Sequence, residues 1–183
     1  MIPGFNQSGV LPPFVGADPT QRTGMSPYIA DMPQVVARFS QTHERRAILS
    51  GVLNYRQELY QAGFTSGVQW FDGSFVEDVE TQQGRAPRDI DVVTIADRPA
   101  IALADFRAFV QQNLHLFDPQ RLKQQHKVDG YFIDLGKLDK VLLVNDICYW
   151  YGLFSHRRQT SLWKGMLQVP LDPANDAIAR LFV

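Results

Sequence analysis

The chain has 183 residues, 45% of them hydrophobic, which is enough for one full core, so we expect a single domain. With 18 Lys and Arg against 19 Asp and Glu, the charge balance argues against tight, sequence-independent binding to a phosphate backbone. The lone Cys148 excludes an intrachain disulfide, and no segment resembles a signal peptide or a membrane span, so we expect a cytoplasmic protein with no membrane partner.

Residues 1–30 are predicted to form an extended arm ahead of a domain over residues 31–183. Pro and Gly recur so often up to position 28 that a helix is disfavoured there. Several apolar side chains of the arm would be poorly placed in free solution: Ile2, Phe5, Leu11 and Phe14. We therefore expect the arm to lie against the domain or against a partner.

Two helices and a strand are predicted next. Asp31 and Thr42 are candidate N-caps, and the second helix should end at Gly63, which tolerates a left-handed backbone. Residues 68–71 are typical of a short strand, and that strand runs into Asp72-Gly73-Ser74.

A second strand is predicted at residues 90–95, after a polar loop or hairpin over residues 77–88. Asp89 and Asp91 should share a face of this strand, because side chains in a strand repeat with a period of two. A helix is predicted within residues 99–115.

The C-terminal half contains a strand over residues 131–135, with Asp134 inside it, and another over residues 163–169. The apolar residues of 138–154 are too crowded for periodicity to decide, and length favours a buried helix. Its aromatic cluster, Tyr149 to Phe154, is typical of a core or an interface more than of a base-stacking platform. Together these elements predict an α+β fold, with a small mixed sheet flanked by helices.

The candidate chemistry rests on the carboxylates at positions 89 and 91. Two carboxylates that point the same way repel each other, and a divalent cation would remove that cost. An edge strand with a solvated acidic face gives the same pattern, so the pair alone is weak evidence. The Gly73-Ser74 turn strengthens it, since Gly lets a backbone approach a phosphate closely and Ser adds a hydroxyl donor.

The segment WFDGSFVEDVETQQGRAPRDIDVVTI resembles the signature of the DNA polymerase β-like nucleotidyltransferase superfamily, in which a Gly-Ser turn precedes a strand with an Asp-x-Asp pair. The chain is also similar, over most of its length, to a poorly characterised group of short bacterial proteins with DGSF and DID motifs, an Arg-rich helix start and a late Lys-Gly. The stretch 75–88 is longer than in the compact members.

The resemblance implies a set of site residues. Gly73 and Ser74 would hold the β and γ phosphates of a nucleoside triphosphate. Asp89 and Asp91 would bind two Mg²⁺ ions and act in catalysis with a third carboxylate, for which we favour Asp134. Asp129 is the rival, but it precedes Gly130 and is typical of a turn.

Basic residues near the motifs are candidates for phosphate contact, although surface charge is their commoner role. They are Arg88, Arg157 and Lys164.

The implied function is Mg²⁺-dependent transfer of a nucleoside monophosphate from a nucleoside triphosphate to a hydroxyl of a protein or RNA acceptor. Short proteins of the superfamily resemble members of toxin-antitoxin or phage-defence pairs, so a cognate partner protein is one expected acceptor. The alternatives are an inactive nucleotide-binding or partner-binding module, and an assembly protein whose fold has lost its metal site.

Overall fold

The computed structural model of the protein describes residues 1–137 and 139–183, and it has an α+β architecture. The strands in chain order are β1 (Tyr28–Ile29), β2 (Gly67–Asp72), β3 (Ile90–Ala96), β4 (Val128–Asp134), β5 (His156–Arg157), β6 (Leu162–Trp163) and β7 (Leu167–Pro170). The α-helices are α1 (Met32–Phe39), α2 (His43–Gln61), α3 (Val79–Gln83), α4 (Leu103–Gln112), α5 (Pro119–His126), α6 (Lys140–Phe154) and α7 (Pro173–Ala179).

Five strands form the main sheet in the order β1-β7-β2-β3-β4, and β5 pairs with β6 in a separate hairpin. The central pair β2–β3 is antiparallel, whereas β4 runs parallel to β3. The predicted α+β class, a mixed sheet with helices, is confirmed.

The first two helices begin where their capping residues predict. The Asp31 side chain accepts a hydrogen bond from the Gln34 backbone N–H at 2.8 Å, and Thr42 accepts one from the Arg45 N–H at 3.2 Å. Helix α2 ends at Gln61, and Gly63 follows with φ of +92°. The chain can then turn into β2 without strain on a side chain.

The two faces of the sheet pack against different helices. One face, with Phe71 and Val92, belongs to the larger core, which α1 and α2 contribute to. The opposite face, with Trp70, Val93 and Ile133, packs against α6. Residues that alternate along β2 and β3 therefore face either the main core or α6.

The N-terminal arm packs on the domain, as expected. Val10 and Leu11 are fully buried, and the Gly165 N–H donates a hydrogen bond to the Leu11 carbonyl at 2.8 Å. The arm also supplies a strand, because Tyr28 and Ile29 pair with β7 at the edge of the sheet. The predicted boundary at residue 30 therefore falls just after the first strand of the domain.

Helix α6 differs from its prediction. Leu138, the first residue of the predicted helix, lies outside the described residues, and from Lys140 onward the helix forms as expected. It is not buried, however, since Phe154 is its only buried residue. Its inner side covers the sheet, while an outer apolar side is exposed: Val141, Leu142, Val144, Tyr149 and Leu153.

Across residues 1–137 and 139–183, no helix combines the length and apolarity that a bilayer span requires.

Three smaller predictions also need correction. The expected loop over 77–88 contains α3, which Asp78 caps by accepting from the Thr81 N–H. Strand β4 begins at Val128 instead of residue 131. The single strand expected over 163–169 is divided between β6 and β7.

Candidate functional site

Three carboxylates lie side by side on adjacent strands of the sheet. Asp72 at the end of β2 pairs with Asp91 of β3, and Asp91 pairs with Asp129 of β4. Residues paired in this way point to the same face, here the face that also carries Trp70 and α6. The sheet thus brings together the predicted ligand Asp91, its neighbour Asp129, which the sequence analysis gives as the rival to Asp134, and Asp72, for which the sequence analysis predicts no ligand role.

The turn after β2 is pressed against Asp91. Gly73 has φ of +78°, and a Cβ built at this position would lie 2.6 Å from Asp91 Oδ2. A residue with a side chain would therefore have to move that carboxylate as well as adopt an unfavourable backbone conformation. A short 3-10 turn, Gly73–Val76, begins at this glycine and carries the half-buried Ser74 as its second residue.

The local electrostatics disfavour negative charge at this edge of the sheet. Burial, reinforced by the charges of Asp129 and Asp89, raises the pKa of Asp91 to about 6. Burial also raises the pKa of Asp72 to about 7, although the neighbouring Lys164 ammonium acts against this shift. A cation bound beside these carboxylates would therefore lower the free-energy cost of ionising them.

An ammonium group already lies between two of the acids. Lys123 of α5 places its Nζ 2.7 Å from Asp89 Oδ2 and 3.2 Å from Asp129 Oδ2. Hydrogen bonds to these carboxylates, with Asp89 first, outweigh burial and raise the pKa of Lys123. Both carboxylates therefore converge on one cation position, which the Lys123 ammonium occupies. Within the described chain, no three or more Asp, Glu, His or Cys side chains are already arranged as a metal site.

Lys164 and Arg157, predicted to contact phosphate, are engaged inside the protein. Lys164 is only 3% exposed, and its Nζ lies 2.9 Å from both Asp72 Oδ1 and Glu77 Oε1. Arg157 donates to Glu77 Oε2 at 2.9 Å and to the Ser8 carbonyl at 3.2 Å. Glu77 thus links the β5–β6 hairpin to the Gly73 turn. The third candidate, Arg88, is exposed beside Asp89.

The structure places Asp134 away from the other acids. It ends β4, where it pairs with Ala96 at the far end of β3, whereas Asp129 pairs with Asp91. Its carboxylate accepts hydrogen bonds from the Arg98 guanidinium at 2.6 to 3.1 Å and from the Gly136 N–H at 2.8 Å. The third carboxylate beside Asp91 is therefore Asp129, and Asp134 instead ties the end of β4 to the chain after β3.

Residues 3–170 match a family described as "Family of unknown function (DUF6932)". The chain belongs to this family. The comparison with curated proteins found no match, and the comparison with solved structures found none either.

The range shared with the DUF6932 family contains every candidate site residue, from Gly73 to Lys164, and ends before α7. It also contains the arm residues that pack beside the turn, because the Gly9 carbonyl accepts a hydrogen bond from the Asp78 N–H at 2.8 Å. The unit that matches the family therefore includes the arm as part of the site's framework.

The sequence did not predict the roles of three residues that are important to this framework. Arg45 is buried and donates to the Phe75 and Glu77 carbonyls, both at 2.7 Å, so it fixes the turn from the α2 side. Glu77 and Lys123 are the other two. Arg45 belongs to the Arg-rich helix start that is part of the family resemblance, but that resemblance assigns it no role, and no local pattern marks Lys123.

Taken together, the site of this DUF6932 protein offers oxygen ligands, a backbone turn and a hydroxyl at one edge of a sheet. Asp91 and Asp129 are hard oxygen donors, which suit Mg²⁺ or Mn²⁺ more than a softer metal. The Ser74 hydroxyl can donate to an anion. This combination is suited to holding a cation together with a phosphate.

Proposed function

We propose that this protein is a nucleotidyltransferase of the DNA polymerase β-like type. It would transfer a nucleoside monophosphate from a nucleoside triphosphate to a hydroxyl of a protein or RNA acceptor. The acceptor oxygen would form a bond to the α-phosphorus while the bond from that phosphorus to the bridging oxygen breaks, and pyrophosphate would leave. The observation that carries the proposal is the contact between Gly73 and Asp91, because it joins the Gly-Ser turn to the Asp-x-Asp strand. The order of motifs in the sequence is the second support.

The residues fit a divalent cation in two respects. Asp89 and Asp129 already contact a single positive charge, the Lys123 ammonium, at 2.7 and 3.2 Å. Burial and the neighbouring carboxylates raise the pKa of Asp91 to about 6, so a cation beside it would offset the cost of ionising this carboxylate. Asp89, Asp91 and Asp129 would hold Mg²⁺ once Lys123 moves aside. Bound Mg²⁺ would neutralise charge on the triphosphate and lower the pKa of the attacking hydroxyl.

The protein's own groups would position the reactants. The Gly73-Ser74 turn would donate to phosphate oxygens, and the exposed Arg88 would add a bidentate contact. Asp129 would accept the proton of the acceptor hydroxyl, because it lies beside Asp91 and is only partly buried. In this proposal Lys164 and Arg157 hold Asp72 and Glu77 in place instead of contacting phosphate.

One observation favours a second candidate, an inactive nucleotide-binding or partner-binding module. Lys123 neutralises Asp89 and Asp129 internally, which is how a site that has lost its metal would compensate its acids. Lys123 is half exposed and has a flexible stem, however, so it can leave the carboxylates without rearrangement of the core.

A transfer assay separates the two candidates. The protein is incubated with Mg²⁺, with each α-labelled nucleoside triphosphate in turn, and with bulk RNA or cell extract as acceptor. We expect label on an acceptor and loss of at least about a hundredfold in Asp91→Asn and Asp129→Asn, as for removal of a metal ligand.

Asp134→Asn is the matched control, since it removes a carboxylate from the same strand at the opposite end. It should retain transfer. Label that survives Asp91→Asn would contradict the enzyme proposal, and triphosphate binding without any transfer would support the inactive module.

A further inference from the structure

The hydroxyl of Tyr131 lies at the carboxylate site. Tyr131 follows Asp129 by two residues on β4, so both side chains lie on the same face of the sheet. Burial, then the charge of Asp129 and a side-chain hydrogen bond to it, raise the pKa of Tyr131. The charges of Asp91 and Lys123 also act on this hydroxyl, in opposite directions. The phenol oxygen is therefore close to the groups that would bind Mg²⁺ and accept a proton.

Packing fixes the position of the Tyr131 ring. Its centroid lies 4.3 Å from that of Trp150, with the two planes tilted by 40°, and both rings pack between α6 and the sheet. A ring that is held between a strand and a second ring has little freedom to swing away. Tyr131 is only half-buried, however, so its hydroxyl stays beside Asp129 without being sealed from a ligand.

Few hydroxyl groups could serve as an acceptor within the sheet. Three residues of the main-sheet strands carry a hydroxyl: Tyr28, Thr94 and Tyr131. Tyr28 and Thr94 lie on the opposite face, the one that carries Phe71. Ser74 is on the turn after β2 and has the role of a phosphate donor in the proposed function. Tyr131 is therefore the strand hydroxyl that shares a face with the carboxylates.

We propose that Tyr131 is an acceptor for the protein's own reaction, so that the chain attaches a nucleoside monophosphate to itself. This inference rests on the proposed function and names one acceptor for it. The Tyr131 oxygen forms a bond to the α-phosphorus while the bond from that phosphorus to the bridging oxygen breaks. Pyrophosphate leaves with the electron pair of the broken bond, and the hydroxyl proton passes to Asp129. The product is a phosphodiester between the tyrosine and the nucleoside.

The first measurement detects the adduct by mass spectrometry. The intact protein is incubated with Mg²⁺ and each nucleoside triphosphate in turn, without an added acceptor, and is then digested for peptide mapping. We expect a mass gain of one nucleoside monophosphate on the peptide that contains Tyr131, at a rate constant that dilution does not change. Tyr131→Phe keeps the ring and should lose the gain. Tyr149→Phe is the matched control, because Tyr149 is an exposed tyrosine of α6, and it should be modified as the wild type is.

The second measurement does not depend on turnover. Protein with isotope-labelled tyrosine rings is titrated with Mn²⁺, which broadens the nuclear magnetic resonance signals of groups close to it. We expect the Tyr131 signal, assigned by its absence in Tyr131→Phe, to broaden at a lower Mn²⁺ concentration than any other tyrosine signal. In Asp91→Asn, which lacks a metal ligand, this early broadening should be lost.

Label on an added acceptor with none on the chain overturns self-transfer and leaves the proposed function intact. An adduct that maps to Ser74, or to any residue other than Tyr131, has the same meaning for the two proposals. A rate constant that falls on dilution, or a Tyr131 signal that bound Mn²⁺ does not broaden, contradicts an acceptor within the site. If neither the chain nor any added acceptor is labelled, both proposals are rejected.

Discussion

Asp91 is half-buried in the sheet, where burial and two neighbouring carboxylates raise its pKa to about 6. An Asp in an unfolded chain has a pKa of about 3.9, so folding raises it. Protonated Asp91 therefore makes its full contribution to the free energy of unfolding below a pH of about 4. That contribution is lost as the pH rises through about 6. Asp91→Asn, with a chelator present, should raise the Tm by about 2 to 5 °C at pH 8 and give no gain at pH 4.

Thermal unfolding of wild type and variant across this pH range checks the prediction. Asp97→Asn serves as its control, because Asp97 is an exposed carboxylate one residue past the end of β3. Equal Tm values for Asp91→Asn and wild type at pH 8 would show that the charge of Asp91 is not costly in the fold.

Lys123 competes with any cation for Asp89 and Asp129. Lys123→Met removes the ammonium and leaves both acids facing each other, so Mn²⁺ or Mg²⁺ should bind several-fold more tightly. A larger rise in Tm at the same metal concentration would report this, since a ligand of the native state stabilises it. Arg121→Met removes an exposed positive charge from the same helix and controls for net charge. A similar gain in both variants would contradict a specific role for Lys123.

Local patterns could predict Asp89, Asp91 and the Gly73-Ser74 turn, because the turn and the strand alternation are encoded by adjacent residues. The partners of these residues could not be predicted in the same way. Asp129 precedes Gly130, which is typical of a turn, yet the parallel pairing of β4 with β3 extends the strand back to Val128. Lys123 comes from a helix packed against β4, and its contacts depend on that packing.

Helices α2 and α7 are joined by a buried ion pair. Arg56 is fully buried, and its Nε lies 2.6 Å from Asp176 Oδ2. The same guanidinium donates to Gln69 Oε1 at 2.8 Å and to the Pro170 carbonyl at 2.6 Å. Each of the three guanidinium nitrogens of Arg56 thus has a hydrogen-bond acceptor within the protein. Loss of Asp176 would leave the buried guanidinium without a negative charge beside it.

Asp176→Ala should therefore lower the free energy of unfolding by about 3 to 5 kcal/mol, measured by urea denaturation. The double variant Arg56→Met, Asp176→Leu should recover much of this loss, because it removes the charge along with its partner. Asp134→Ala breaks a more exposed pair with Arg98 and should cost only about 1 kcal/mol. A double variant as unstable as Asp176→Ala would mean that packing, not charge, dominates at this position.

At the level of elements, the capped helices α1 and α2 were predictable because Asp31 and Thr42 act within a single turn. Helix α6 was predictable in length but not in burial. Its apolar residues are spread around the whole helix, so no periodic pattern distinguishes the side that covers the sheet from the side left exposed. The packing of α6 on β3 and β4 determines which side of the helix is covered.

Across the whole molecule, the arm and the C-terminal strand are assembled together around the site. Strand β1 pairs with β7, and the Leu11 carbonyl accepts from Gly165, next to Lys164. The Tyr28 hydroxyl donates to the Pro12 carbonyl at 2.7 Å. Strand order cannot be derived from sequence neighbours here, because β1 and β7 come from opposite ends of the chain.

Leu11 should therefore behave as a core residue although it lies in a Pro- and Gly-rich segment. It is fully buried, so Leu11→Ala should lower the free energy of unfolding by about 2 to 5 kcal/mol, the cost of a cavity left by a truncated core side chain. Val15 lies four residues further along and is 43% exposed, so Val15→Ala should cost less than about 0.5 kcal/mol. Urea denaturation measures both. If both variants lose the same small amount of free energy of unfolding, the arm detaches before the domain unfolds. If only Leu11→Ala loses stability, the arm unfolds together with the domain and supports Lys164 and the turn.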